Sequence, residues 1–199
     1  MEYKKYITET IDQYKCKGVH DQWMILPIYG GGVLQGFLKP VTIFYKEVYP
    51  EYIPLVFRWR AENQEGFHDE FENTLKKTEN WFDNILLPRK DRILFFIHSL
   101  EGMPIGHLGV STFDFENKSC EIDNVVRGVK EGYRGIMTYS TKTIINWSKD
   151  ILKVKNIYLR VFSDNDHAIE FYKKNNFIAL YDIPAERKEK RTFTKMMLT

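Results

Sequence analysis

Cysteine is scarce: the 199-residue chain has only Cys16 and Cys120. They lie far apart, with no Cys or His partners at metal-ligand spacing, so neither a disulfide framework nor a zinc site is expected, and no metal is assigned. No run approaches the roughly 18 apolar residues that a bilayer span requires. The first eighteen residues carry charges but no apolar core of a signal peptide. These absences predict a soluble, cytoplasmic protein with no membrane insertion. Strong charge of one sign is also missing: the net charge is +2. With no basic stripe interleaved with aromatics, nucleic acid is not an expected partner. The short "ERKEKR" run near the end reads as a solvated hairpin tip.

What is present describes an ordinary, rather aromatic globular chain. Hydrophobic residues make up 43% and charged residues 28%, a balance that argues against disorder. The length suits one sizeable core. Residues 1–39 are the hardest to read, with a short helix around "YITETIDQYK". Gly30, Gly31 and Gly32 lack the GK[ST] of a phosphate loop and read as a turn between two apolar segments. We therefore expect an N-terminal extension over 1–39, a candidate contributor to the acceptor site, and a domain over 40–199.

From residue 40 the pattern sharpens. "VTIFYKEV" reads as a strand and "EYIPLVFRWRAENQ" as a helix with Pro54 tolerated in its first turn. "TENWFDNIL" reads as a helix capped by Thr78, with Trp81, Phe82 and Ile85 on one face. The strands "RILFFIHS", "IGHLGVSTF" and "CEIDNVV" then follow one another through the turns "GMP" and "ENKS". Period-two alternation puts Glu121 and Asp123 on one face of the last of these and Ile122 on the other. Helical spacing resumes at Ile136, the strand "NIYLRVF" follows, and "DNDHAIEFYKKNNF" makes the next helix, burying Ala168, Ile169, Phe171 and Tyr172. Two strands, "IALYDI" and "RTFTKMML", close the chain around "PAERKEK". The fold class is thus α+β: an antiparallel meander followed by a right-handed βαβ crossover in a mixed twisted sheet, with helices on both faces.

The crossover is the expected site, because a helix N-terminus points into the crevice at the carboxyl ends of parallel strands. Its loop, "RGVKEGYRGIM", holds Gly128, Gly132 and Gly135 with Arg127, Lys130 and Arg134. A cation at a helix start is unfavourable by a few tenths to about 1 kcal/mol unless an anion binds there. Two readings stay open from these residues alone, a solvated turn and an anion site.

The order of elements and three segments resemble the GNAT superfamily of acetyl-coenzyme A-dependent N-acetyltransferases. The segments are "EIDNVVRGVKEGYRGIM", "IYLRVFSDNDHAIEFYKKNNF" and "LVFRWRAENQ". The most specific is N-x-x-A-I-x-F-Y-x-x-x-x-F from Asn165 to Phe177. The resemblance implies a sheet that splays between two parallel strands, with acetyl-coenzyme A in the gap. Val125 and Val126 would then offer backbone groups to the pantetheine. Arg127 and the stretch Arg134, Gly135, Ile136 and Met137 would meet the pyrophosphate, and Asn165 and Ala168 would face the cofactor arm. Tyr172 would be the acid that protonates the departing thiolate. The loop departs from the family pattern at Gly132 and at Met137, which stands where a small residue is usual. Asn176 replaces the Gly after the last helix.

Acetyl transfer to an amine needs a base, for which Glu121, Asp123 and His107 are the candidates; cross-strand pairing is the alternative for the two carboxylates and a structural role for His107. His98 has a weaker claim, and His167 reads as a surface residue. The implied activity is direct transfer, in a ternary complex, of an acetyl group to a small-molecule primary amine. "RWR" and the aromatic stretch after it resemble the amino-sugar and ribosomal-protein branch, so a nucleotide-linked amino sugar is the first expectation. A polyamine, a protein N-terminus, or a non-catalytic acyl-coenzyme A-binding module are the alternatives, and a homodimer is compatible with all of them.

Overall fold

A computed structural model describes residues 2–16, 24–63, 74–184 and 191–199. One eight-stranded sheet organises it. In chain order the strands are β1 (Leu26–Gly30), β2 (Val33–Pro40), β3 (Ile93–His98), β4 (Pro104–Asp114), β5 (Ser119–Arg127), β6 (Asn156–Phe162), β7 (Phe177–Pro184) and β8 (Thr192–Leu198). The helices are α1 (Glu2–Cys16), α2 (Tyr45–Val48), α3 (Tyr52–Glu62), α4 (Leu75–Trp81), α5 (Ile136–Asp150) and α6 (Asp166–Lys174). Spatial order is β1-β2-β3-β4-β5-β6-β8-β7, and all pairs are antiparallel except β5 with β6. The expected meander followed by a crossover is therefore present. Among the described residues no helix is long and apolar enough to cross a membrane.

β3 explains why helices cover both faces. Its six residues are all buried, yet a strand's side chains alternate between faces. Ile93, Phe95 and Ile97 join one apolar cluster with Ile7 and Ile11 of α1 and Ile144 and Trp147 of α5. Leu94 and Phe96 join a second cluster with Tyr45 of α2, Tyr52, Val56 and Trp59 of α3, and Phe82. Ile7, Ile11 and Tyr14, spaced by four and three, bury one stripe of α1. The two clusters are thus the two sides of one sheet.

Several sequence expectations change. Within 1–39, the described residues pack with the rest of the fold: β1 and β2 extend the sheet and α1 packs on its core. Gly31 and Gly32, with φ of 58° and 82°, form the β1–β2 turn, as two positive φ angles in a two-residue hairpin demand. The strand expected over "VTIFYKEV" ends at Pro40 instead. Its apolar residues are buried by a turn and the short α2, an ambiguity that periodicity cannot resolve in so short a run. α4 starts at Leu75, four residues earlier than expected, because Thr74 is the cap and accepts from the Lys77 N–H at 3.2 Å. Thr78 is buried inside the helix. A π-helical turn over Phe82–Leu86 then shifts the phase, so that Phe82 and Leu86 are buried and Ile85 is exposed. "RWR" lies within α3, whereas the stretch after it over 64–73 and most of "PAERKEK" lie outside the described residues.

Candidate functional site

β5 and β6 make only three ladder pairs, Ser119 with Asn156, Cys120 with Ile157 and Glu121 with Tyr158. Beyond them the strands part. Three residues on, at Asn124, β5 carries an extra residue relative to β4, and Asn124 adopts φ 50°. A bulge of this kind bends and twists its strand. The opening is a cavity of about 1360 Å³. Its walls are β5 from Glu121 to Arg127, β6 from Arg160 to Phe162, the start of α5, and α6 from Asn165 to Tyr172. No described residue before Ala61 lines it.

Two neighbours hold the bulge. His107 Nδ1 donates to the Asn124 carbonyl at 2.7 Å, and the Arg60 guanidinium donates to the Asn124 side-chain oxygen at 3.2 Å. His107 is buried beside the Trp59 and Phe96 rings. Burial, and then the Arg60 charge, lower its pKa to about 3. It does not line the cavity. The geometry places His107 at the bulge and away from the cavity, in line with the structural alternative, with tilted contacts to both rings. Trp59 also fixes the chain after β5, since a Cβ on Gly128 would stand 1.9 Å from the Trp59 ring.

The loop from β5 to α5 is an anion seat in its geometry. Gly135, at φ 80°, occupies the cap position of α5, which has no side-chain cap and no acidic residue in its first turn. The N–H groups of Gly135, Met137 and Thr138 find no backbone acceptor among the described residues, and all three residues line the cavity. Free N–H groups and the helix dipole together favour an anion there. The two expected cations divide. Arg134 is exposed at the rim. Arg127 is committed to its own loop, donating to the carbonyls of Val129, Lys130 and Gly132 at 2.8–2.9 Å. Ile136 is buried in the core. Met137, half-buried, packs against that core as well as lining the cavity.

The carboxylates differ in their ties. Glu121 is buried and holds Arg160 at 2.9 Å and Lys195 at 3.8 Å. Asp123 pairs through Oδ2 with Arg92 at 3.0 Å and accepts from Ser111 Oγ at 2.7 Å. Its Oδ1 is buried and without a partner among the described residues. Asp123 and Tyr172 both line the cavity. Burial, and then the Asp123 charge, push the Tyr172 phenol well above its ordinary pKa, which keeps it protonated at neutral pH. Val125 and Val126 line the cavity from β5, and Ala168 and Asn165 from the start of α6. The Asn165 side chain caps α6, accepting from the Ala168 N–H at 3.0 Å. His98 is buried away from the cavity, bonded to Tyr52 and Gly102. His167 is exposed.

Arg92, Ser111 and Arg160 escaped sequence reading. Arg92 and Ser111 sit 31 and 12 positions from Asp123, and no local pattern marks a partner at that range.

A mixed sheet that opens between two parallel strands, with an uncapped helix start facing the gap, is the plan of an acyltransferase that takes its acyl group from coenzyme A. The chain belongs to the acetyltransferase (GNAT) family, whose model matches residues 53–177. It is an acetyl-coenzyme A-dependent N-acetyltransferase. Solved structures agree at the level of fold. A probable GNAT-family acetyltransferase from Chromobacterium violaceum superposes with a TM-score of 0.67 at 15% identity, covering 87% of this chain and 85% of that one. A spermidine N-acetyltransferase from Vibrio cholerae, in complex with CoA and spermine, gives 0.63 at 15% identity, covering 75% and 90%. The spermidine/spermine N-acetyltransferase SpeG from Vibrio cholerae, in complex with manganese ions, gives 0.58 at 15% identity, covering 82% and 92%. No curated protein matches the sequence. None of these findings supports the amino-sugar branch.

Proposed function

We propose that the protein acetylates a small, positively charged primary amine of the polyamine class, with Asp123 as proton acceptor and Tyr172 as proton donor. The observation that carries this reading is Asp123, which lines the cavity together with Tyr172 and whose buried Oδ1 has no hydrogen-bond partner among the described residues. The charge balance of the walls supports a cationic acceptor: Glu62, Glu121, Asp123, Asp166 and Glu170 outnumber Arg127, Arg160 and Lys174. An amino sugar, the first expectation from sequence, has less to recommend it, since that excess of carboxylate suits ammonium groups better than hydroxyls. The neighbouring spermidine acetyltransferases point the same way.

The residues present fit acetyl-coenzyme A. The free N–H groups of Gly135, Met137 and Thr138 would receive the pyrophosphate, and Val125 and Val126 would flank the pantetheine arm. When bound, acetyl-coenzyme A supplies an activated acetyl group and a thiolate leaving group. The protein's part is proton management. An alkylammonium ion is not a nucleophile until it loses a proton, and the Asp123 carboxylate, on the cavity wall, would take it. Arg92 and Ser111 hold its Oδ2, fixing the carboxylate plane. Tyr172 retains its hydroxyl proton until a stronger base arises beside it. Glu121, tied to two cations, orders the acceptor wall.

The test is release of free thiol from acetyl-coenzyme A over a panel of spermidine, butylamine and glucosamine. Spermidine should give the highest kcat/KM. Asp123→Asn should lower kcat by about 10²- to 10⁴-fold, with acetyl-coenzyme A affinity by calorimetry unchanged. A wild-type preference for glucosamine, or full activity in Asp123→Asn, would overturn the reading.

A further inference from the structure

Gly30 is a glycine that its own backbone does not require. It ends β1, is buried, and pairs with Val33 across the hairpin, while the two positive φ angles of that turn belong to Gly31 and Gly32. What excludes a side chain at Gly30 is Tyr139 of α5. A Cβ there would lie 2.4 Å from Tyr139 Cε2 and 2.6 Å from Cζ, against an optimum of about 3.5–4.0 Å between carbons.

The same ring edge meets a second glycine. A Cβ on Gly135 would lie 3.0 Å from Tyr139 Cε2, 3.1 Å from Cζ and 3.3 Å from the hydroxyl oxygen. Tyr139 stands one turn after Gly135, and helical side chains lean back toward the N-terminus, so its ring covers the start of α5. Its backbone acts on the same residue, because the Tyr139 N–H donates to the Gly135 carbonyl at 3.0 Å. Ring and hydrogen bond together hold Gly135 in its left-handed conformation at φ 80°.

Tyr139 does not line the cavity, whereas Gly135, Met137 and Thr138 do. Those three supply the N–H groups of the anion seat, and the ring supports them from outside it. β1 packs against that ring with little freedom to yield: the ladder to β2 fixes its backbone, and Ile28 shares one apolar cluster with Ile136 and Ile144 of α5. A left-handed residue that opens a helix aims the N–H groups that follow it. A shift of about 0.5 Å in one of them takes a bond of about 3.0 Å out of hydrogen-bonding range.

We infer that Tyr139 is a positioning residue for the cofactor: pinned by Gly30 of β1, its ring sets the direction of the N–H groups that receive the coenzyme A pyrophosphate. The inference rests on the reading of the α5 start as the pyrophosphate seat. It is tested in Gly30→Ala, Tyr139→Ala, Tyr139→Phe and Gly135→Ala, by calorimetry with coenzyme A and by kinetics with two donors, acetyl-coenzyme A and S-acetylpantetheine, the second of which lacks the pyrophosphate. In Gly30→Ala and Tyr139→Ala the Kd for coenzyme A should rise about ten-fold, as for loss of one hydrogen bond to a charged group, and KM for acetyl-coenzyme A should rise with it. At saturation kcat should hold at the parental value, as should KM for the amine and KM for S-acetylpantetheine. Tyr139→Phe keeps the ring and should bind coenzyme A like the wild type. Gly30→Ala combined with Tyr139→Ala should bind no more weakly than Tyr139→Ala alone, since removal of the ring leaves room for the methyl group. Parental affinity in Gly30→Ala and Tyr139→Ala, with affinity lost in Gly135→Ala, overturns the role of Tyr139 alone. So does an equal rise in KM for both donors, which is what general loosening of the fold produces. Parental affinity in Gly135→Ala overturns the seat and the role of Tyr139 together.

Discussion

Replacing Lys15 by Met should reveal how a buried ammonium joins α1 to the rest of the fold. Lys15 is 1% exposed, and its Nζ donates to the carbonyls of Leu86 and Arg89 at 2.6 Å each, and to Leu87 at 3.4 Å. It thereby closes the end of the π-helical turn, whose last carbonyls have no intrahelical partner. At pH 7 the loss of those bonds should cost about 1–3 kcal/mol. For a chain of this length, each kcal/mol corresponds to about 2–4 °C in Tm. The pH dependence is the sharper test. Burial lowers the Lys15 pKa from 10.5 to about 8. Between those values the unfolded chain holds a proton that the folded chain has released, so this group adds stability as pH rises. The gain is fully present above 10.5 and is lost as pH falls through 8. The slope is about 1.4 kcal/mol per pH unit, so the stability difference between wild type and Lys15→Met should widen by about 2–3 kcal/mol from pH 8 to pH 10. Urea unfolding at pH 7, 8, 9 and 10 measures it. A difference that stays flat over that range would mean that the three carbonyls keep the ammonium charged, and would refute the reasoning.

Acid should destabilise the opposite face of the sheet. Burial lowers His98 from 6.5 to about 4 and His107 to about 3; their stabilisation is present above pH 6.5 and fades as pH drops toward those values. His98→Gln should therefore flatten the fall in Tm between pH 6.5 and 4, by about 3 kcal/mol in unfolding free energy. Gly128→Ala forces a methyl group to 1.9 Å from the Trp59 ring. It should cost about 1–3 kcal/mol and weaken acetyl-coenzyme A binding, both measurable by thermal melts with and without cofactor. Gly135→Ala places a side chain at φ 80° and 3.0 Å from the Tyr139 ring. A penalty of about 1–2 kcal/mol should appear with a lower calorimetric affinity for coenzyme A. Tyr172→Phe should reduce kcat while leaving the KM for acetyl-coenzyme A in place, and parental turnover would remove Tyr172 from the mechanism.

Where the sequence was legible, one physical rule dominated each element. β3 through β6, α5 and α6 were readable because apolar periodicity and turn residues agreed. The Gly31–Gly32 turn and Asn176, which takes φ 66° after α6, were readable because few residues tolerate a left-handed backbone. The elements around α2 and α4 were misread where a short apolar run fits strand or helix equally, and where the π-helical turn altered a phase that the sequence does not mark.

The sequence by itself determined the order of elements, the common face of Glu121 and Asp123, and the glycine at the start of α5, because each depends on neighbours a few residues away. Tertiary structure alone decided which of those groups is free to act. It buried His107 beside Trp59, drew Arg127 into its own loop, tied Glu121 to Arg160 and Lys195, and left one Asp123 oxygen without a partner among the described residues. Those outcomes depend on residues that pack together from distant parts of the chain, and on a bulge that turns β5 away from β6.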